Sequence, residues 1–216
     1  PYGLDRLAAD AATVARRGAG RAVHLVGHDW GGLVAWWTAV AHPDCVASLT
    51  ILNAPHPQAF RRYLAGHPSQ RRRSRYIAFF QLPWLPEAVL GAGDCRRLRE
   101  TLVRTSRPGT FTEADLARYV EAWQQPGALT GMLNWYRGLR RARPAERREA
   151  RVHVRTRILW GTRDRFLEAG LADASLQLCD RGDTRLFEGA SHWLQHERPG
   201  EIVAEILGQV SAAPGP

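Results

Sequence analysis

Gly27-His28-Asp29-Trp30-Gly31-Gly32 lies between a predicted strand and a predicted helix, and the rest of the chain is best understood outward from it. Residues 22–27 are a short apolar run with β-branched members, typical of a buried strand in a parallel sheet. Residues 31–41 predict a buried helix that ends before Pro43. The glycines allow a tight strand-to-helix turn, which places the Asp29 carboxylate at the positive end of the helix dipole. The alternative is a glycine-rich turn whose aspartate only caps the helix.

Strand and helix signals alternate on both sides of this hexapeptide. The predicted strands are residues 46–52, 157–160 and 184–187, and the other predicted helices are residues 4–17, 167–178 and 199–210. The strands are short and apolar, whereas the helices show apolar residues at a spacing of three or four. Strands that alternate with helices predict an α/β fold with a mostly parallel sheet.

Residues 57–148 differ from the rest of the chain, since they are rich in arginine and aromatic residues and contain no convincing strand. The helical candidates in this block are residues 58–65, 70–81, 86–105, 112–123 and 128–141. A loop of this length without secondary structure would be unusual, so the pattern predicts a helical insertion. We therefore divide the chain into a first part of the catalytic core (1–56), a helical cap (57–148) and a second part of the core (149–216).

Composition narrows the class of protein. The chain has 216 residues, of which 44% are hydrophobic and 24% charged, as expected for a packed globular protein. No apolar run is long enough to span a bilayer, so we expect no membrane partner. The net charge is +9 and all 30 basic residues are arginines, which we interpret as solvated surface and not as a nucleic-acid site. Cys45, Cys95 and Cys179 form no Cys-x-x-Cys pair, which favours a reducing, cytoplasmic setting over disulfides or a zinc site.

Two further residues follow predicted strands and extend the argument from Asp29. Asp164 comes just after strand 157–160, and His192 comes just after strand 184–187. Taken alone, Asp164 could be a loop carboxylate and His192 a helix cap. Because the carboxyl ends of parallel strands share one edge of a sheet, we expect Asp29, Asp164 and His192 to meet there. The order nucleophile, acid, histidine is the chain order of the α/β-hydrolase triad.

These motifs make the chain similar to the epoxide hydrolases of the α/β-hydrolase fold. The resemblance covers nearly the whole chain and includes VGHDWGG at 26–32, NAPHP at 53–57, WGTRD at 160–164 and ASHW at 190–193. It implies that the helical block is that family's cap, with the motifs SRYIAFFQ at 74–81 and NWYR at 134–137. The family's two ring-opening tyrosines then fall on Tyr76 and Tyr136. The alternative is that both are half-buried aromatic residues with exposed hydroxyls.

The chemistry explains why an aspartate stands where serine hydrolases carry a serine. Attack by Asp29 on a saturated carbon leaves an ester that water can cleave, whereas attack by a serine would leave an ether. His192, oriented by Asp164, would activate the water. Tyr76 and Tyr136 would donate hydrogen bonds to the epoxide oxygen. The predicted function is hydrolysis of a small-molecule epoxide to a vicinal diol, without a metal ion or an organic cofactor.

Trp30 has two interpretations. Its backbone N–H could face the oxyanion of the Asp29 ester, while its indole N–H could bind a halide, as in the related haloalkane dehalogenases. A haloalkane or haloacid dehalogenase with the same triad is therefore the first alternative. The second is a non-catalytic binding module whose arginine clusters, at residues 71–73, 96–97 and 147–148, contact phosphates. These patterns do not specify an oligomeric state.

One motif of the epoxide hydrolases is missing. They carry an HG-x-P motif after an early strand, which supplies another oxyanion donor, and this sequence lacks it. The strands that should precede the helix at residues 4–17 are also absent. We therefore expect the chain to be a truncated form of a longer enzyme that lacks the N-terminal part of the sheet. Loss of that oxyanion donor would weaken or abolish the activity of the chain as given.

Overall fold

Four parallel strands form the framework of the molecule. The computed structural model describes residues 2–19, 22–141 and 150–212. Within these residues the strands lie in the order β1 (Val23–His28), β2 (Val46–Leu52), β3 (Arg155–Gly161) and β4 (Gly182–Phe187). The last residue of β1 pairs with the last of β2, and the last residue of β3 pairs with the last of β4. The four carboxyl ends therefore lie at one edge of the sheet, where open α/β sheets bind their ligands.

Burial differs between the central and the outer strands. Most residues of β2 and β3 are buried, whereas β1 alternates between exposed and covered positions and β4 is mostly exposed. A strand with helices on both faces has no solvent-facing side, so its sequence is continuously apolar. This explains why residues 46–52 could be predicted as a buried strand from composition alone.

Five helices pack around the sheet. They are α1 (Leu4–Ala19), α2 (Asp29–Ala41), α9 (Gly170–Leu176), α10 (Leu194–Glu197) and α11 (Pro199–Ser211). One core cluster joins Trp36 of α2 to Ile51, Ile158 and Leu171, and another joins Leu52 and Leu159 to α10 and α11. Neighbouring strand residues thus enter different clusters, because successive side chains point to opposite faces of a sheet. Each fully buried aliphatic side chain contributes about 1.5–3 kcal/mol relative to an exposed one.

Between the end of β2 and residue 141, the regular secondary structure consists of helices. They are α3 (Pro57–Gly66), α4 (Pro68–Arg73), α5 (Tyr76–Phe79), α6 (Leu85–Thr105), α7 (Glu113–Trp123) and α8 (Ala128–Arg141). Thr112 caps α7 in a reciprocal capping box with Asp115. The expected cap boundary at residue 148 lies outside the described residues. Among the described helices, none has the combination of length and hydrophobicity that a bilayer crossing requires.

The prediction of a single helix over residues 70–81 is wrong. The chain forms two short helices, α4 and α5, which are separated by a turn at Ser74 and Arg75. Gln70 is fully buried and its side chain donates to the carbonyl oxygen of Phe166 over 2.8 Å, while Arg73 donates to the carbonyl oxygen of Asp164 over 2.6 Å. These contacts anchor α4 to the loop after β3. The chain then turns, and Tyr76 opens a separate helix.

Two other predicted helices differ from those observed. The helix at 86–105 is interrupted, because Gly93, Asp94 and Cys95 adopt left-handed backbone angles inside α6; glycine tolerates that conformation best. The helix at 167–178 starts late, at Gly170, since the backbone N–H groups of Phe166 and Leu167 bind the Asp164 carboxylate. In both regions a local turn replaced a helical turn that the apolar spacing favoured.

Candidate active site

The turn between β1 and α2 holds Asp29 in a strained conformation. Asp29 has a φ of 50°, in the left-handed region that residues other than glycine rarely adopt. A Cβ atom on Gly27 would lie 2.6 Å from the carbonyl oxygen of Gly31, and one on Gly32 would lie 2.3 Å from Ala54 Cβ. Both positions therefore require glycine, and the close packing they permit fixes the direction of the Asp29 side chain.

The structure brings the three residues of the predicted triad together. His192 Nδ1 lies 2.7 Å from Asp164 Oδ2, and His192 Nε2 lies 3.7 Å from Asp29 Oδ1. The first distance is a hydrogen bond, whereas the second is an ion pair too long for one. The Asp29 side chain is 44% exposed and that of His192 only 4%. The imidazole thus stands between a closed carboxylate and an accessible one.

Three donors besides His192 hold Asp164. Asn53 Nδ2 donates to Asp164 Oδ2 over 2.7 Å, and the backbone N–H groups of Phe166 and Leu167 donate to Oδ1 over 2.7 and 3.0 Å. Asn53 is buried with a φ of 41°, and its Oδ1 accepts the N–H of the last residue of β3. Sequence reasoning gave Asn53 no role. The signal was a polar residue directly after a buried strand, at the same sheet edge as Asp164.

The charges of the triad are mutually dependent. Burial raises the pKa of Asp29, although His192 and the backbone N–H of Trp30 act in the opposite direction. Burial also opposes a charge on His192, but Asp164 and Asp29 outweigh it and raise the pKa of the imidazole. For Asp164, burial is outweighed by His192 and by the hydrogen bonds, so that its pKa is lowered. The charges of Asp164 and Asp29 thus favour the protonated form of His192, whereas burial disfavours the charged form of Asp29.

Tyr76 and Tyr136 reach the site from different helices, α5 and α8. Their ring centroids lie 5.9 Å apart. Burial raises the pKa of both hydroxyls, that of Tyr136 to about 12, and the negative charge of Asp29 raises each further. Both side chains are therefore neutral phenols at neutral pH, able to donate a hydrogen bond. The charge of Asp29 thus acts on both hydroxyls.

Trp30 contributes through its backbone and its ring. The backbone N–H hydrogen bonds to the Asp29 carboxylate. The ring lies edge-on to Tyr136, with centroids 4.7 Å apart, and its side chain hydrogen bonds to the Tyr136 hydroxyl. The indole N–H is the only donor of a tryptophan side chain, so this group is already engaged by Tyr136.

His28, interpreted from the sequence as structural, supports the loop that carries His192. Its Nε2 lies 2.9 Å from the carbonyl oxygen of His192, and the two rings lie 4.7 Å apart. Burial and the nearby imidazole of His192 lower the pKa of His28 to about 3. His28 is consequently neutral, and Nε2 must carry its proton in order to donate to the carbonyl.

The arginine clusters are partly engaged within the molecule. Arg71 donates to the carbonyl oxygens of Leu64 and Ala65, and Arg73 donates to the carbonyl oxygen of Asp164. The cluster at residues 147–148 lies outside the described residues. Arginines that bind backbone carbonyls are less available to phosphates, which disfavours the binding-module alternative for the first cluster.

Comparison with known proteins places this geometry in a family. The model of the alpha/beta hydrolase family matches residues 1–206. The AB hydrolase superfamily protein YfhM of Bacillus subtilis (strain 168) is 43% identical over 85% of this chain and 64% of its own length. Epoxide hydrolase 3 of Xenopus tropicalis is 43% identical over 82% of this chain and 50% of its own length. The chain thus spans about half to two thirds of these relatives.

A solved structure agrees with these sequence matches. The epoxide hydrolase of Bacillus megaterium, crystallised with an inhibitor, superposes with a TM-score of 0.86 at 26% identity, over 97% of this chain and 76% of that one. The predicted fold class and the resemblance to epoxide hydrolases are therefore confirmed. The chain belongs to the alpha/beta hydrolase family, and its relatives there include epoxide hydrolases.

Proposed function

We propose that this chain carries the active site of an epoxide hydrolase, which converts a small-molecule epoxide into a vicinal diol through an ester on Asp29. The observation that supports it most strongly is the position of the Asp29 carboxylate, 3.7 Å from His192 Nε2, with two partly buried phenols on which its charge acts. A serine nucleophile needs a hydrogen bond to its histidine in order to lose a proton. A carboxylate needs no such activation, so the longer distance suits a nucleophile that is already charged.

In the first step, an oxygen of Asp29 attacks one carbon of the epoxide ring. The bond between that carbon and the ring oxygen breaks, and the electron pair moves to the oxygen. An alkoxide is a poor leaving group, so it must be stabilised as it forms. Tyr76 and Tyr136 donate hydrogen bonds to it, and one phenol transfers its proton. The products are a neutral hydroxyl and an ester on Asp29.

In the second step, His192 Nε2 takes a proton from water while the water oxygen attacks the carbonyl carbon of the ester. The backbone N–H of Trp30, which binds the free carboxylate, donates to the resulting oxyanion. Collapse of this intermediate breaks the ester bond, releases the diol and restores the Asp29 carboxylate. The proton on His192 then returns to the tyrosinate and leaves the imidazole neutral, so a cycle that begins with neutral His192 converts one epoxide and one water into one diol.

The charge state of Asp29 determines when His192 can act as a general base. Asp29 and Asp164 together raise the pKa of the imidazole in the free site. Ester formation removes the charge of Asp29, and with it part of the stabilisation of the imidazolium. The pKa of His192 therefore falls at the stage where a neutral general base is needed.

The dehalogenase alternative is less well supported. A departing halide needs N–H donors, and among Asp29, Trp30, Tyr76 and Tyr136 only Trp30 carries a side-chain N–H. A pair of neutral phenols near the nucleophile suits a leaving oxygen, which accepts a hydrogen bond and a proton.

We also propose that helices α3 to α8 act as a cap. We further propose that the protein works in a reducing, cytoplasmic setting, since all three cysteines are free thiols.

The proposal is tested by trapping the ester. His192→Gln should form the ester with styrene oxide but not hydrolyse it, since the general base is lost. We expect mass spectrometry of the complete protein to show a gain of one intact styrene oxide, located on the peptide that contains Asp29. The double variant with Asp29→Ala should gain nothing. A chloroalkane would add only its alkyl group and release chloride, so an adduct from the chloroalkane alone would establish the dehalogenase instead.

A further inference from the structure

We propose that Glu197 is a positioning residue, which couples the loop that carries His192 to the helical block and so orients the imidazole for ester hydrolysis. This inference rests on the proposed function. The term histidine loop is used here for residues 190–197, which follow β4 and include α10. Glu197 touches none of the reacting atoms and acts through the residue that precedes His192.

The carboxylate of Glu197 joins two segments that are far apart in the sequence. Its Oε2 accepts the backbone N–H of Ser191 over 2.9 Å, and its Oε1 accepts the hydroxyl of Ser191 over 2.6 Å. The same Oε1 accepts the backbone N–H of Arg107 over 2.8 Å. Arg107 lies between α6 and α7 in the helical block, whereas Ser191 directly precedes His192. Hydrogen bonds to a charged acceptor are among the stronger ones in proteins.

Other contacts dock the same two segments around Glu197. The indole N–H of Trp193 donates to Thr105 Oγ1 over 2.9 Å. The ring of Phe111 packs against Trp193 and His196 at centroid distances of 5.9 and 4.9 Å. The hydroxyl of Tyr119 lies 3.3 Å from His196 Nε2. Residues 105–119 thus pack against the histidine loop. Glu197 supplies the charged acceptor between the two segments.

The orientation of the His192 imidazole depends on these contacts. Asp164 holds Nδ1 of His192, and His28 holds its carbonyl oxygen. The chain on the N-terminal side of His192 is held through Ser191, whose backbone N–H and hydroxyl both bind Glu197. A misplacement of about 1 Å at a catalytic group can lower a rate about a hundredfold. Glu197 therefore helps to fix the position of His192 Nε2 relative to the water that attacks the ester.

The test separates the two chemical steps in Glu197→Gln, with Glu201→Gln as the control. Glutamine offers one acceptor oxygen, so its NH₂ group would face a donor of Ser191 or Arg107. Glu201 lies four residues further on and pairs with Arg198 and Arg185. We expect Glu197→Gln to slow ester hydrolysis at least about tenfold while ester formation changes less than about twofold. The ester then accumulates, and kcat and KM fall together; Glu201→Gln should change neither step.

A second measurement does not depend on turnover. The His192 Nδ1 proton is shielded in its hydrogen bond to Asp164, and we expect NMR to show faster solvent exchange of this proton in Glu197→Gln but not in Glu201→Gln. Ser191→Ala removes the hydroxyl's bond to Glu197 and its bond from the Trp193 backbone N–H but keeps the backbone bond of Ser191 to Glu197, so it should show a smaller effect of the same sign. If the natural chain turned over no epoxide but the exchange still increased, the proposed function would fail and the positioning role would stand. Unchanged exchange with an unchanged ratio of the two steps would overturn the positioning role.

Discussion

Single residues in this site act through each other's charge. The imidazole of His192 has a raised pKa only because Asp164 and Asp29 outweigh the effect of burial. Asp164 accepts three hydrogen bonds besides that of His192, and its pKa is lowered, which favours its charged form. In the proposed reaction, Asp29 would change from a carboxylate to an ester and back. The protonation of His192 can therefore follow the state of the nucleophile without any movement of the chain.

This dependence predicts the direction of a pKa change. Asp29→Ala removes one of the two carboxylates that raise the pKa of His192, so we expect that pKa to fall, as it would in the ester. NMR titration of the His192 ring protons measures it directly. Asp173→Asn, in the exposed part of α9, is the control and should leave the pKa unchanged. At a pH between the two values, His192 is protonated in the free site and neutral in the variant; an equal or higher pKa in Asp29→Ala would refute the coupling.

At the scale of elements, the turn from β1 to α2 was the most predictable part of the fold. Its glycines, its apolar flanks and the position of Asp29 are local properties, and they agree with the observed turn. Strand β2 coincides with the predicted residues 46–52, and α8 with residues 128–141. The helix predicted at 70–81 failed because Gln70 and Arg73 bind the loop after β3, a contact between residues over ninety positions apart.

The same turn allows a matched test of stability. Gly31 and Gly32 are neighbours in the first turn of α2, but only at Gly32 does a Cβ atom meet an obstacle, Ala54 Cβ at 2.3 Å. We expect Gly32→Ala to lower the free energy of unfolding by about 1–3 kcal/mol. Gly31→Ala has open space and should raise it by up to about 1 kcal/mol. Urea unfolding of both variants measures the difference, and similar values for the two would contradict the packing described for this turn.

The whole molecule is needed to complete the site. The strand edge supplies Asp29, Asp164 and His192, and their position there could be predicted because the carboxyl ends of parallel strands meet. Tyr76 and Tyr136 come from two helices of the helical block, and the sequence pointed to them only through resemblance to a family. The position of Asn53 directly after a buried strand was a signal for its role, whereas the role of Glu197 could not be predicted, since it acts on partners that the chain brings near only after folding.

The joint contribution of sheet and helical block gives the last prediction. If the two phenols stabilise the leaving oxygen, Tyr76→Phe and Tyr136→Phe should each slow ester formation from styrene oxide by about a hundredfold, since one such donor contributes about 3 kcal/mol. Hydrolysis of the ester should change little, because His192 and Trp30 carry that step. Rapid-quench mass spectrometry resolves the two rates. Tyr63→Phe is the control, as its hydroxyl binds Glu168 and should affect neither rate. Ester formation at the natural rate in both tyrosine variants would leave the carboxylate without its ring-opening partners and remove the reason to prefer an epoxide over a haloalkane.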